Sequence, residues 1–182
     1  MMQVELGCGR NKPVGAFGID LSADSDADLI HDLRNGIPLP DESATIVSSN
    51  HFLEHVAVWP QLLWETWRVL VPGGTMTFRV PYVQSQGAID PAHPAVVSEH
   101  WLRHCWEMHA CFAEARFEFE YDAEMLRWAR ATCLGAPDGV LRRLFWNVAL
   151  HMRYTATAVK PRLDYDAAMA AKAAALERWA TT

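Results

Sequence analysis

Val4–Gly9 reads V-E-L-G-C-G: an apolar stretch holding one acid, ending in two glycines separated by a single residue. A second apolar stretch, Phe17–Ile19, runs directly into the carboxylate of Asp20. This is the pattern of a strand, a tight glycine turn, a second strand and an acid at its C-terminal tip. Glycine suits such a turn because positive φ costs it little and no side chain blocks a ligand approaching the backbone. A single carboxylate can accept from both hydroxyls of a ribose together. Leu6–Gly9 and Asp20 are therefore expected to hold a nucleoside cofactor.

The chain has 182 residues, 51% hydrophobic and 21% charged. That suits one globular domain with a substantial core. No apolar run approaches the roughly 18 residues of a membrane helix, and Met1–Glu5 lacks a basic region followed by an apolar one, so neither a span nor a secretory signal is expected. Cys8, Cys105, Cys111 and Cys133 form no CxxC pair, which suits a reducing cytoplasm. A net charge of −6 argues against gripping duplex nucleic acid by bulk electrostatics. Between Arg142 and Arg162 the charges are all basic; the stretch reads as a solvated surface or as a place to meet an acidic substrate.

The connectors after the glycine turn are short. Arg10–Gly15 and Ser22–Asp28 are too brief for full crossover helices. Leu29–His31 reads as a third strand ending at Asp32, and Ala44–Ser48 as a fourth, its tip at Asn50-His51. Trp59–Val71 has Leu63, Trp67 and Leu70 at helical spacing and a proline in its first turn, with Pro72-Gly73-Gly74 as a stop. Thr75–Val80 alternates as a half-buried strand. A helix is expected from Ser98 through Phe112, a strand at Glu114–Tyr121, a helix at Asp138–Leu150 and a strand at Arg153–Lys160. The alanine-rich stretch 164–180 has high helix propensity and a thin apolar stripe, so it docks on the body, packs on a second copy, or frays. Strands interleaved with helices predict an α/β fold, a mostly parallel sheet covered on both faces, with the last two strands as an antiparallel edge.

Five segments in this order resemble the class I S-adenosylmethionine (SAM)-dependent methyltransferases, and more narrowly their small, methyltransferase-11-type members. The segments are E-L-G-C-G at Glu5–Gly9, G-I-D at Gly18–Asp20, H-D-L at His31–Leu33, N-H-F-L-E-H at Asn50–His55 and W-R-V-L-V-P-G-G at Trp67–Gly74. The resemblance is strong over Val4–Tyr82 and weak beyond it. It implies a Rossmann-like doubly wound sheet in a minimal version with short first connectors, a methyltransferase domain over residues 1–162, and a C-terminal helix or tail over 163–182.

It also implies SAM as cofactor and S-adenosylhomocysteine as product. Gly7, Cys8 and Gly9 would underlie the cofactor, with Glu5 buttressing the loop. Asp20, next to Leu21, would take the ribose hydroxyls. Asp32 and Leu33 would flank the adenine, and Asn50 and His51 would sit beside the methionine portion and its methyl group. Asn11 stands where the family has a third glycine.

Methyl transfer from a sulfonium needs the acceptor oriented and water excluded, and needs a base only for a protonated acceptor. His51, at the fourth strand's tip where open α/β sheets bind ligands, is the candidate base; it could equally hydrogen-bond the loop. His55, Tyr82, Asp90 and His93 are candidates to line the acceptor pocket, although Asp90-Pro91-Ala92-His93 also reads as a plain proline turn. His100 and His104 share a helix face at a zinc-compatible spacing, but no carboxylate or cysteine completes a ligand set, so no metal is expected.

The expected activity is transfer of a methyl group to a small molecule or sugar-like metabolite in the cytoplasm. A catalytically silent SAM-binding or scaffolding protein of the same fold is the alternative. Neither membrane nor nucleic acid is an expected partner, and the C-terminal segment could join two copies.

Overall fold

The computed structural model describes residues 2–99, 102, 112–133, 135–145 and 147–160. Its strands are β1 Met2–Leu6, β2 Phe17–Asp20, β3 Leu29–Ile30, β4 Ala44–Asn50, β5 Leu70–Pro81, β6 Phe112–Tyr121 and β7 Ala149–Ala158. Its α-helices are α1 Trp59–Val69, α2 Ala123–Thr132 and α3 Asp138–Leu144. The strands form one sheet in the order β3-β2-β1-β4-β5-β7-β6. The first five run parallel, and β7 inserts antiparallel between β5 and β6.

Alternation sorts the sheet into two unlike faces. Val4, Leu6, Val47, Met76, Phe78, Met152, Tyr154 and Ala156 form a continuous core with Leu62, Leu63, Trp64 and Trp67 of α1. The opposite face carries Glu5, Ser48, Thr77, Arg79, Arg153 and Thr155, which line a trough of about 670 Å³. Residues 10–16 and 21–28 are turns and irregular chain rather than helices. The expected helical cover over both faces is thus replaced, across the central strands, by an open polar face among the described residues.

α1 ends at Val69, short of the expected Val71. Leu70 is already extended (ψ 139°), and Val71 precedes a proline, which disfavours α geometry. The P-G-G segment lies within β5 at a register shift, where a Cβ on Gly74 would stand 3.0 Å from Leu70 Cδ2 and the Val71 carbonyl oxygen and 3.2 Å from the Thr45 carbonyl oxygen. A side chain at Gly74 would need those neighbours to give by a few tenths of an ångström.

Three expectations are corrected downstream. Phe112 starts β6 instead of closing a helix. α3 stops at Leu144, because Phe145 turns extended and Asn147 adopts φ 60°; Val148 then packs with Ala129 and Leu141. Strand β7 therefore begins at Ala149, where a helix was expected. Helix α2 is unanticipated; Asp122 caps it by accepting from the N–H groups of Glu124 and Met125. Residues 100–101 and 103–111, which hold His100, His104 and most of the expected 98–112 helix, lie outside the described residues, as does the 163–182 tail. Among the described residues no helix is long and apolar enough to cross a membrane.

Candidate active site

The strand order reverses between β1 and β4, and the crevice at their carboxyl ends is where open α/β sheets take ligands. β1 ends in the glycine loop and β4 ends at Asn50-His51, so both face this switch point. Gly7 and Gly9 adopt φ of +63° and +52°. Gly7 N–H donates to the Ile19 carbonyl (2.8 Å), tying the loop to β2. Space above Gly9 is open, whereas the Phe52 ring lies against Gly7, 2.3 Å from where a Cβ would stand. Gly7 is therefore required for the protein's own packing.

Asp20 holds this loop in shape. Its Oδ2 accepts from Gly9 N–H and its Oδ1 from Ser22 N–H, both at 2.8 Å. One lone pair remains on each oxygen. Leu21, beside it, lines a cleft of about 230 Å³ with His31, Asp32, Leu33, Phe52 and Val56. Asp32 caps the short turn Leu33–Asn35 and pairs with Arg34 (2.7 Å), whose hydrogen bonds lower its carboxyl pKa to about 2. Leu33 is buried, and His31 Nε2 is buried without a partner among the described residues. The cleft thus combines apolar walls, the Asp32–Arg34 ion pair and one imidazole nitrogen without a partner among the described residues. Sequence reading passed over His31, whose only signal was its place before Asp32.

Glu5 lies elsewhere. Its carboxylate accepts from the Ser48 hydroxyl and lines the polar trough, where burial raises its pKa against that hydrogen bond. It braces β1 to β4. Cys8 is buried, and burial, followed by the charge of Asp20, pushes its thiol pKa up; this disfavours a reactive thiolate.

His51 sits at φ +55° in a charged network. Its Nδ1 is 2.9 Å from Glu54 Oε1, and its Nε2 is 2.5 Å from Arg79 Nη1. Carboxylate and guanidinium fix the roles: Nδ1–H donates, and Nε2 accepts from the arginine. The Nε2 lone pair is therefore already engaged by Arg79. Arg79 in turn grips Glu120 with two nitrogens (2.8 and 2.6 Å) and reaches Asn50 Oδ1 (3.2 Å).

His151, opposite Pro81 in the ladder, packs edge-on against His51 with ring centroids 4.7 Å apart. It lines a second pocket of about 280 Å³ with Ser85, Gln86, Gly87 and Asn147. Burial, then Arg79 and His51, lower its pKa, while Glu120 and Glu54 oppose the shift. A histidine held neutral in the fold makes stability fall as pH drops through its unfolded pKa of about 6.5. Unfolding free energies from urea titrations between about pH 7.5 and 5.5 are expected to fall by at most about 1.4 kcal/mol per pH unit from this group, and by less in His151→Gln. Identical slopes would remove His151 as the source. Arg79, Glu120 and His151 carry no local sequence signature, because sheet pairing assembles them from distant strands.

Of the acceptor-side candidates, Asp90 accepts from Ala92 N–H (2.8 Å) and so shapes the proline turn. Tyr82 is buried edge-on to Phe119, and its pKa is raised by burial. His55 and His93 are brought together, with ring centroids 4.5 Å apart.

Residues 4–78 match the Methyltransferase domain family. No curated protein sequence matches the chain. Among solved structures, a SAM-dependent methyltransferase from Archaeoglobus fulgidus is 18% identical with a TM-score of 0.65, covering 86% of this chain and 85% of that one. One from Mesorhizobium loti is 16% identical with a TM-score of 0.59, covering 86% and 90%. A putative methyltransferase in complex with the Haloferax volcanii Trm112 activator is 20% identical with a TM-score of 0.62, covering 90% and 84%. At these identities the likeness is one of fold. The domain match runs from the glycine strand into β5, and the fold around it is the one that SAM-dependent methyltransferases of known structure share.

Proposed function

We propose that the protein is a SAM-dependent methyltransferase acting on a small-molecule acceptor. The observation that carries this reading is the cleft lined by Leu21, Asp32 and Leu33, with Leu21 next in the chain to the Asp20 that holds the glycine loop. The residues fit the cofactor: Leu21, Leu33, Phe52 and Val56 offer apolar contact to a base, and His31 Nε2 offers an unpaired polar atom. Asp20 would take the ribose hydroxyls with its remaining lone pairs. Asp32 would accept from the exocyclic amine. Gly9, Asn50 and His51 would flank the amino-acid end.

Bound SAM supplies an electrophilic methyl group for in-line displacement. The chain's own task is to orient the acceptor and keep water out. His151, at the wall of the second pocket with its pKa lowered by burial, is better placed than His51 to accept a proton, because the His51 lone pair faces Arg79. That same engaged lone pair favours the alternative, a silent binder of the adenosyl ligands.

Thermal shift with SAM, S-adenosylhomocysteine and NAD tests the reading. A ligand at about 100 times its Kd adds roughly 2.7 kcal/mol of stability, so both adenosyl compounds are expected to raise Tm. A shift with NAD alone would overturn the assignment. Asp20→Ala is expected to weaken S-adenosylhomocysteine by about 1.5–3 kcal/mol, the worth of hydrogen bonds to a charged group, or roughly tenfold to 150-fold in Kd. An unchanged Kd in calorimetry would take Asp20 out of the site. Binding without turnover across amine, hydroxyl and thiol acceptors would favour the silent binder.

A further inference from the structure

Glu54 is 2% exposed, yet only one of its carboxylate oxygens is bonded. Oε1 faces His51 Nδ1, while Oε2 is buried with no partner among the described residues. A buried carboxylate oxygen left in this way is costly unless something positive meets it. Two imidazoles stand beside it. One ligand atom from each of Glu54, His55 and His93 lies within 4.8 Å of the others.

Both rings are oriented from behind. His55 Nδ1 is 3.3 Å from the Ala92 carbonyl oxygen, and His93 Nδ1 is 2.6 Å from that of Gly87. A carbonyl can only accept, so each Nδ1 carries the proton and each Nε2 keeps its lone pair. Metal-binding histidines have this arrangement: the far nitrogen donates to a backbone carbonyl, which fixes the tautomer and the ring angle. Glu54 is fixed likewise, its other oxygen held by His51. Three ligands are thus each supported by a second contact, and this is more than a surface cluster of polar groups provides.

We infer that Glu54, His55 and His93 form a binding site for a divalent first-row transition metal. Two imidazole nitrogens and one carboxylate suit zinc, cobalt or iron rather than the oxygen-loving magnesium or calcium. Metal–ligand bonds of about 2.0–2.2 Å put tetrahedral donors roughly 3.3 Å apart. The donor atoms, now within 4.8 Å of one another, would draw together around the ion by up to about 1.5 Å, most readily through the exposed His55 ring.

Three protein donors leave coordination positions open for water or for an oxygen of a ligand. His55 also lines the 230 Å³ cleft, and Gly87 lines the 280 Å³ pocket beside His151. The ion would therefore lie between the two pockets, where an acceptor oxygen could reach it. This last placement rests on the methyltransferase reading; the metal site does not. Sequence pattern gave no warning of it, because the third ligand arrives from the turn after β5.

The test is titration of the metal-free full-length protein with Co²⁺, followed by displacement with Zn²⁺. One equivalent of Co²⁺ is expected, with visible ligand-field bands that Zn²⁺ abolishes. His55→Ala and His93→Ala are each expected to weaken Zn²⁺ by at least about 10–100-fold, with circular dichroism confirming the fold. Glu54→Gln, which keeps an oxygen for His51, is expected to do the same. Binding undiminished in the two histidine variants would place the metal elsewhere in the chain and overturn the inference. So would wild-type protein that takes up neither ion. Because the readout is a visible spectrum with no SAM present, its failure leaves the methyltransferase reading standing, and failure of SAM binding leaves the metal site standing.

Discussion

Gly7→Ala is expected to lower Tm by about 4–20 °C. Two independent costs act at the position. The backbone has φ +63°, where an L side chain is disfavoured by about 1–2 kcal/mol. The new methyl group would also stand 2.3 Å from Phe52 Cγ and Cδ2 and 2.7 Å from its Cβ. Contacts with Cβ and Cγ are not relieved by swinging a ring tip, so the Phe52 backbone must shift, at a typical overpacking cost of about 1–3 kcal/mol. Together these amount to about 2–5 kcal/mol, and a domain of this size loses about 2–4 °C per kcal/mol.

Gly9→Ala separates the two costs. Gly9 has a similar φ of +52° but open space around the would-be Cβ, so only the backbone cost applies. Its Tm is expected to fall by no more than about 2–8 °C. Equal losses at the two glycines would show that Phe52 yields freely and that its contact with Gly7 is not a constraint.

This contrast shows how far the glycine pattern could be read. G-x-G announced a turn at positive φ, and that is what both glycines adopt. It could not say what approaches each one: at Gly7 it is Phe52, from the tip of β4, and at Gly9 it is open space. The strands were legible because alternation at Thr75–Val80 and the apolar runs at Val4 and Phe17 report burial directly. Helix α2 was not, because its stripe of Met125, Leu126 and Ala129 is narrow and Trp128 is exposed, packing only edge-on to Phe145 (5.3 Å). The end of α3 was misjudged for a related reason. Phe145 and Val148 fit helical spacing but pack from extended chain, where the tertiary cluster with Ala129 and Leu141 decides the matter.

Site residues divide the same way. Asp20, Leu21, Asp32 and Leu33 belong to local segments, and all lie around the glycine loop or the adjoining cleft. Arg79 looked like an ordinary outward residue of a half-buried strand. Its partners come from β4, β6 and β7: Asn50, Glu120 and the neighbouring His151. Only the sheet order brings them to one edge, and no spacing rule within a single segment reveals them.

Glu99→Ala is expected to cost about 3–5 kcal/mol in urea unfolding, the usual consequence of stranding one member of a buried ion pair. Arg142 is 8% exposed, and its Nη2 donates to Glu99 Oε1 at 2.9 Å. Its guanidinium carbon lies 3.8 Å from the centre of the Phe119 ring, and its Nε is buried without a hydrogen bond among the described residues. The ring face attracts the cation but replaces little of its lost hydration. Without Glu99 the charge keeps the Phe119 face and the neutral Tyr82 hydroxyl beside it, and no carboxylate among the described residues. Glu99→Ala combined with Arg142→Met removes the charge as well and is expected to recover most of the loss, as apolar replacements of whole buried pairs do. A loss below about 1 kcal/mol for Glu99→Ala would mean that water already reaches the guanidinium. The pair also bears on the site, since Glu99 anchors one end of the segment that carries His93, while the Asp90 turn and the Gly87 carbonyl anchor the other. The single variant is therefore expected to weaken Zn²⁺ at His93 as well as stability, and the Arg142→Met double variant to restore stability without restoring the anchor. Separate recovery of the two properties would show that the ion pair positions the loop as well as holding the fold.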